Sequence, residues 1–292
     1  MSLNCPVSAA TALPPATTAT RRRVAGRWLL LTLAALVVLV GVYAVAVLTA
    51  TGQSVEDGIL RSVDGSILLR SGVALDAISV PVLATALAAL VLVALLRGRP
   101  SAAVQTLVIV VGSTATTQLL KLLAPRPELT GDVYGNSFPS GHTTIAVALL
   151  FAIMTAFGRH VRPVFFVLGT VFAALVAEQT VAYGWHRASD VVGACAVALA
   201  WLGATRCVAS RLAHDPHGGG LMGRRAYGVT STVVGVAVVL CLTVSGAVWG
   251  VGIGMAMDVA TSGDGVLTGA RLASAGVVLI TAWVAWKLDG RR

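Results

Sequence analysis

Residues 136–157 read NSFPSGHTTIAVALLFAIMTAF. A polar turn built from Asn, Ser, Pro and Gly runs directly into an unbroken apolar stretch with a histidine at its head. An apolar run of this kind is either a core helix or a membrane span, and the rest of the chain decides which. Of the 292 residues, 57% are hydrophobic and 11% are charged. An average soluble domain carries about 25% charged residues. Seven further apolar runs flank this one. Taken together they lie at about 27–50, 76–96, 102–123, 141–157, 163–183, 189–208, 227–250 and 266–287. Each approaches the ~20 residues a helix needs to cross a bilayer. Spans inside lipid must satisfy their backbone hydrogen bonds internally, so all are expected to be helices. The expected fold is all-α, a polytopic transmembrane bundle.

Charge sets the expected orientation. The net charge is +9, but the basic residues are scattered between apolar runs. That placement points to a bilayer and not to nucleic acid. With the N-terminus inside, fifteen of the 21 Lys and Arg fall on the inner side, among them Arg21, Arg22, Arg23, Arg97, Arg159 and Arg224. Arg61, Arg70, Lys121, Arg126, Arg187 and Arg271 fall outside. Cytoplasmic loops are enriched in Lys and Arg, so both termini are expected in the cytoplasm of a plasma-membrane protein.

Outside the spans the sequence is less regular. Residues 1–26 are expected to be a disordered tail, rich at first in Ala, Thr and Pro. The run after Arg21-Arg22-Arg23 is too long for a signal-peptide core, so an uncleaved first span is expected. Residues 51–75 are polar. Ile59, Leu60, Val63, Ile67 and Leu68 recur there at helical spacing, which fits a short interfacial helix or a loop packed on the bundle. Residues 209–226 form an inner linker with His214, His217 and Gly218-Gly219-Gly220, read as solvated and not as a metal site. Cys5, Cys195, Cys207 and Cys241 contain no C-x-x-C pair, so no disulfide framework or zinc site is indicated.

Three segments at span ends carry unusual polar residues, and the charge-derived orientation puts all three on the outer side. In the first, Lys121 and Arg126-Pro127 offer cations to a phosphate, or snorkel at the interface. In the second, Pro139-Ser140-Gly141-His142 stands at a helix start. Free N–H groups and the helix dipole favour an anion there, and Ser140 equally suits an ordinary N-cap. In the third, His186 and Asp190 stand four apart, on one face of a helix start. Asp190 can orient the imidazole for nucleophilic attack, or the pair can simply cap the helix.

These segments resemble the type 2 phosphatidic acid phosphatase superfamily, whose members carry Lys…Arg-Pro, Pro-Ser-Gly-His and Ser-Arg…His…Asp motifs. Pro139-Ser140-Gly141-His142 matches the second motif in full, and His186 and Asp190 match the third in spacing. The resemblance covers about residues 27–208, implying a six-helix core, with residues 227–292 adding two spans. It implies a lipid-phosphate or polyprenyl-diphosphate phosphatase that needs no cofactor and no metal. His186 would be the nucleophile, Asp190 its partner and His142 the general acid and base. Lys121, Arg126, Ser140 and Gly141 would hold the phosphate. The rival readings are a phosphoryl or phosphodiester transferase of the same fold, and a non-catalytic lipid-phosphate binder.

Two departures stand out. Four residues separate Lys121 from Arg126 where the family has six, and Glu128 falls on the family's Arg place. Gln179 and Thr180 occupy the places of the third motif's Ser and Arg. Arg187, beside the nucleophile, is a candidate replacement for the missing guanidinium, and Glu178 is expected to pair with a nearby cation.

Overall fold

The computed structural model describes residues 18–63, 72–131, 135–212, 224–255 and 263–290. The tail before Thr18, Ile67, Leu68, His214, His217 and the Gly218–Gly220 run lie outside the described residues. The described chain is helical, without a strand. The long helices are α1 (Thr18–Val42), α4 (Val80–Leu96), α5 (Pro100–Leu123), α6 (Gly141–Ala156), α7 (Arg162–Ala182), α8 (Ala188–Leu212), α9 (Arg224–Met255) and α10 (Gly263–Asp289). A π-helical turn, Tyr43–Val47, ends α1, and the short helices α2 (Ala50–Arg61) and α3 (Val73–Asp76) connect it to α4.

Among the described residues, six helices are long and apolar enough to cross a membrane, namely α1 with its π-turn, α5, α7, α8, α9 and α10. The protein is therefore an integral membrane protein with a polytopic helical fold. The other two expected spans are realised as shorter apolar helices. α4 has 17 residues and α6 has 16. At 1.5 Å per residue they are about 24–26 Å long, less than the ~30 Å hydrocarbon core. Apolar side chains on the outer helices face away from the protein, as Val37 at 71% and Leu30 at 66% exposure illustrate on α1. That exposure is costly in water and natural in lipid.

α8 is the most enclosed of these six membrane-length helices, with Ala194, Ala198 and Leu202 fully buried. It packs closely on α1. A Cβ at Gly203 would stand 2.4 Å from Thr32 Oγ1 and 2.8 Å from the Trp28 carbonyl oxygen. Only glycine permits that approach, and small residues are how membrane helices close their gaps.

One expected boundary differs from the structure. The first helix begins at Thr18 instead of following a tail that runs to residue 26. Ala25 and Trp28 are buried at its start, and Arg27 donates to the Leu288 carbonyl, so this turn is held by packing. The last span packs into the bundle. Trp286 of α10 is fully buried and stacks on Phe166 of α7, with ring centroids 4.4 Å apart. Asp289 pairs with Arg162 of α7 and lies 3.6 Å from Arg206 of α8. Glu178 of α7 pairs with Arg271 of α10. α10 is thus fastened to the bundle near both of its ends.

Candidate active site

The C-terminal ends of α5 and α7 and the N-terminal ends of α6 and α8 meet at one end of the bundle. The three polar segments are therefore neighbours. α7 closes at Gly184, whose φ of +69° belongs to the left-handed region, where glycine has no steric penalty. The Thr180 carbonyl, freed by that closure, accepts from the N–H groups of Trp185 and His186, each at 3.0 Å. The turn thereby delivers His186 to the first residues before α8.

His186 Nδ1 lies 3.1 Å from Asp190 Oδ2. The same oxygen accepts from Ser137 Oγ at 2.6 Å and from the Arg187 N–H at 3.0 Å. Asp190 is fully buried, and its Oδ1 has no hydrogen-bond partner. With Nδ1 engaged, Nε2 is the nitrogen of His186 left for chemistry. The His142 ring lies 6.5 Å from the His186 ring, centroid to centroid, and 5.4 Å from Trp185.

The second motif forms the start of α6. The Ser140 N–H donates to the Asp190 carbonyl at 3.0 Å, tying this turn to the segment that carries His186. Ser140 caps the helix: its hydroxyl accepts from the Thr143 N–H and donates to Thr143 Oγ1. Its hydroxyl proton is therefore committed locally in this arrangement. Lys121 reaches the same turn from α5, and a Cβ at Gly141 would stand 3.8 Å from Lys121 Nζ. Asn136 donates to the carbonyls of Lys121 and Ala124, which closes the end of α5.

Arg126 reaches the cluster despite the shortened spacing. Its side chain is 4% exposed, and neither Nη1 nor Nη2 has a hydrogen-bond partner. α2 is what carries it there. Gln53 donates to the Pro127 carbonyl at 2.7 Å and accepts from the Leu129 N–H at 3.3 Å, and Tyr43 donates to the Pro125 carbonyl. The segment 51–63 is accordingly a helix that turns its polar face inward, burying Gln53, Glu56 and Asp57 while Val55 is 56% exposed.

The two auxiliary candidates are placed elsewhere. Arg187 is engaged by Asp57 and Ser137 and not by the turn at Ser140–Gly141. Its Nε and Nη2 reach Asp57 Oδ1 at 3.2 and 2.9 Å, and Nη1 reaches Ser137 Oγ at 3.0 Å. Thr180 is fully buried and its hydroxyl donates to the Ala177 carbonyl. Gln179, in the family's Ser place, accepts from the Ala74 N–H and so anchors α3. Glu128 is exposed on the loop, and Glu178 faces Arg271.

The sequence reading did not find Glu56, Asp57, Gln53 or Ser137. The signal in the sequence is that Gln53, Glu56 and Asp57 share one helical face. Burial pushes the Glu56 carboxyl above its ordinary range, and the negative charge of Asp190 adds to this. Among the described residues no group of three or more His, Cys, Asp and Glu side chains is placed to hold a metal.

No curated protein and no solved structure matches the chain. Residues 78–213 match the family model described as the PAP2 superfamily. The match runs from the approach to α4 through the end of α8 and takes in all three polar segments. It stops short of α9 and α10 and begins after α2. Over residues 78–213 this chain is similar to the PAP2 superfamily, whose members are chiefly phosphatases.

Proposed function

We propose that this protein hydrolyses lipid phosphates or polyprenyl diphosphates through a phosphohistidine intermediate. The observation that carries the reading is the pairing of His186 Nδ1 with buried Asp190 at 3.1 Å. It leaves Nε2 as the reactive nitrogen, within the reach of a phosphate that His142 also faces. Nε2 attacks phosphorus, the N–P bond forms, and the bond to the leaving oxygen breaks. His142 gives that oxygen a proton. His142 then takes a proton from water as the water attacks phosphorus, and the N–P bond breaks to release orthophosphate and restore His186. Asp190 stabilises the cationic ring. Lys121, Arg126 and the N–H groups at Gly141 and His142 meet the equatorial oxygens, where charge is spread in the transition state.

The substrate class follows from the setting. A phosphate site at the end of a membrane bundle is reached most directly by a head group already in the membrane. The positive-inside charge pattern favours an extracytoplasmic site in the plasma membrane, with both termini cytoplasmic.

Phosphate release by the purified protein from a panel of lipid phosphates tests the activity, and absence of release from every member refutes it. Rapid quenching with labelled substrate is expected to trap acid-labile, base-stable phosphate on the protein. In a cysteine-free background, Gly135→Cys is expected to be labelled from outside intact cells and Arg159→Cys is not. The reverse pattern would put the site on the cytoplasmic face.

A further inference from the structure

α2 sends two adjacent carboxylates into the cluster, and they meet its two guanidiniums on unequal terms. Asp57 and Arg187 form a closed pair. Two nitrogens of Arg187 reach Oδ1, Thr130 donates to Oδ2 at 2.8 Å, and Ser137 takes Nη1. A buried pair with its remaining valences filled is costly to open.

Glu56 and Arg126 form an open pair. Glu56 Oε2 stands 3.8 Å from Arg126 Nη2, too far for a hydrogen bond, and the two side chains are only 9% and 4% exposed. Glu56 Oε2 and both Nη atoms of Arg126 have no hydrogen-bond partner. Glu56 Oε1, by contrast, is anchored, accepting from the Ser189 N–H at 3.0 Å. Buried polar atoms are rarely left unsatisfied, and three within one ion pair mark a place that another group completes. A carboxylate oxygen before a guanidinium is also the nearest side-chain likeness of a phosphate oxygen.

We propose that Glu56 is the resident counter-ion of the phosphate site and that binding exchanges it for the ligand. Phosphate oxygens take Nη1 and Nη2 of Arg126. Glu56 Oε2 withdraws, while Oε1 keeps the start of α8 in place. No covalent bond changes. The carboxylate neutralises Arg126 between turnovers and opposes any anion beside it, so it weakens the hold on free orthophosphate. A lipid ester tolerates that loss because its chains add binding that orthophosphate lacks. Glu56 thus sets the balance between substrate capture and product retention. This rests on reading the cluster as a phosphate site.

The test is calorimetric binding of orthophosphate to the full-length protein in detergent. Glu56→Gln keeps an acceptor for Ser189 and removes the charge. It is expected to bind orthophosphate tighter by on the order of tenfold, the effect of about one charge-assisted hydrogen bond. Adding Arg126→Ala is expected to cancel the gain. Unchanged or weaker binding by Glu56→Gln, a gain that survives Arg126→Ala, or no binding by either protein overturns the proposal. Should Glu56→Gln fail to fold, Glu56→Asp draws the charge back by one methylene and must still bind tighter than wild type; equal affinity overturns the proposal. The readout is binding and not turnover. A protein that binds as expected but hydrolyses no ester refutes the phosphatase reading alone, and one that hydrolyses while Glu56→Gln gains nothing refutes this one alone.

Discussion

The bundle carries a cluster of buried arginine and carboxylate at each end, and the two are built for different work. At the end opposite the motifs, Arg206 of α8 donates to Gln105 of α5 at 3.3 Å and to Thr155 of α6 at 3.2 Å. It faces Asp289 of α10, which also pairs with Arg162 of α7. Five helices are braced there by groups that face one another, and Arg162 lies over the Trp286 ring at 5.5 Å. At the motif end the arginines are of two kinds. Arg187 is braced in the same way, but both Nη atoms of Arg126 lack hydrogen-bond partners, and His142 and His186 lie at the same end of the bundle. Buried charge in a membrane span is expensive, so both clusters require a reason to exist. Bracing accounts for the first. The second leaves donors unfilled, which is the condition for receiving an anion.

The comparison predicts that chemistry fails at one end only. His186→Ala is expected to lower turnover by about 10⁴-fold or more, as removal of a nucleophile does. A folded His186→Ala protein with substantial activity would remove the covalent scheme.

The next effect separates the two histidines. His142→Ala is expected to lose about 10²–10⁴-fold on a lipid monophosphate, the usual worth of general acid catalysis. The loss on p-nitrophenyl phosphate is expected to be clearly smaller, because nitrophenolate departs without a proton. A nitrophenol burst would signal that hydrolysis of the intermediate limits the rate. Equal losses on both substrates without a burst would reassign His142 to binding or structure.

The braced cluster is expected to answer in stability. Asp289→Ala leaves Arg162 and Arg206 short of a buried carboxylate, a defect worth about 3–5 kcal/mol. Thermal unfolding in detergent should fall accordingly, while kcat/KM of the folded fraction stays close to wild type. A large loss of kcat/KM in folded Asp289→Ala would break the division between the two ends.

The smallest effect concerns Glu178 and Arg271. This pair is partly open to the surroundings, with side chains 19% and 41% exposed. Glu178→Gln is expected to cost about 1 kcal/mol or less, in keeping with exposed ion pairs. A larger loss of stability would mean that α10 depends on this contact more than on the buried Trp286.

Helix identities were legible because lipid imposes them: a backbone inside a bilayer has no other partner than itself. The alternation of spans then placed Lys121, His142 and His186 at one end, and the i, i+4 spacing placed Asp190 beside His186. Less was legible wherever the chain leaves regular structure. The loop after α5 has no period, so its shortened spacing did not say where Arg126 goes. The network around Asp289 was likewise invisible, because its members come from five different helices.

What the sequence by itself determined is therefore the set of helices, their alternation and the residues brought to one end. Those follow from short-range rules, the hydrophobic requirement of a span and the 3.6-residue turn. Only the tertiary structure decided the direction of Arg187, the arrival of Arg126 and the entry of Glu56 and Asp57. Arg187 and Asp57 are 130 residues apart, and α2 turns inward the polar face that an isolated amphipathic helix would show to water. Which cations of a charged cluster are free depends on which carboxylates the fold brings to them. That is a matter of packing between distant segments, and no local pattern encodes it.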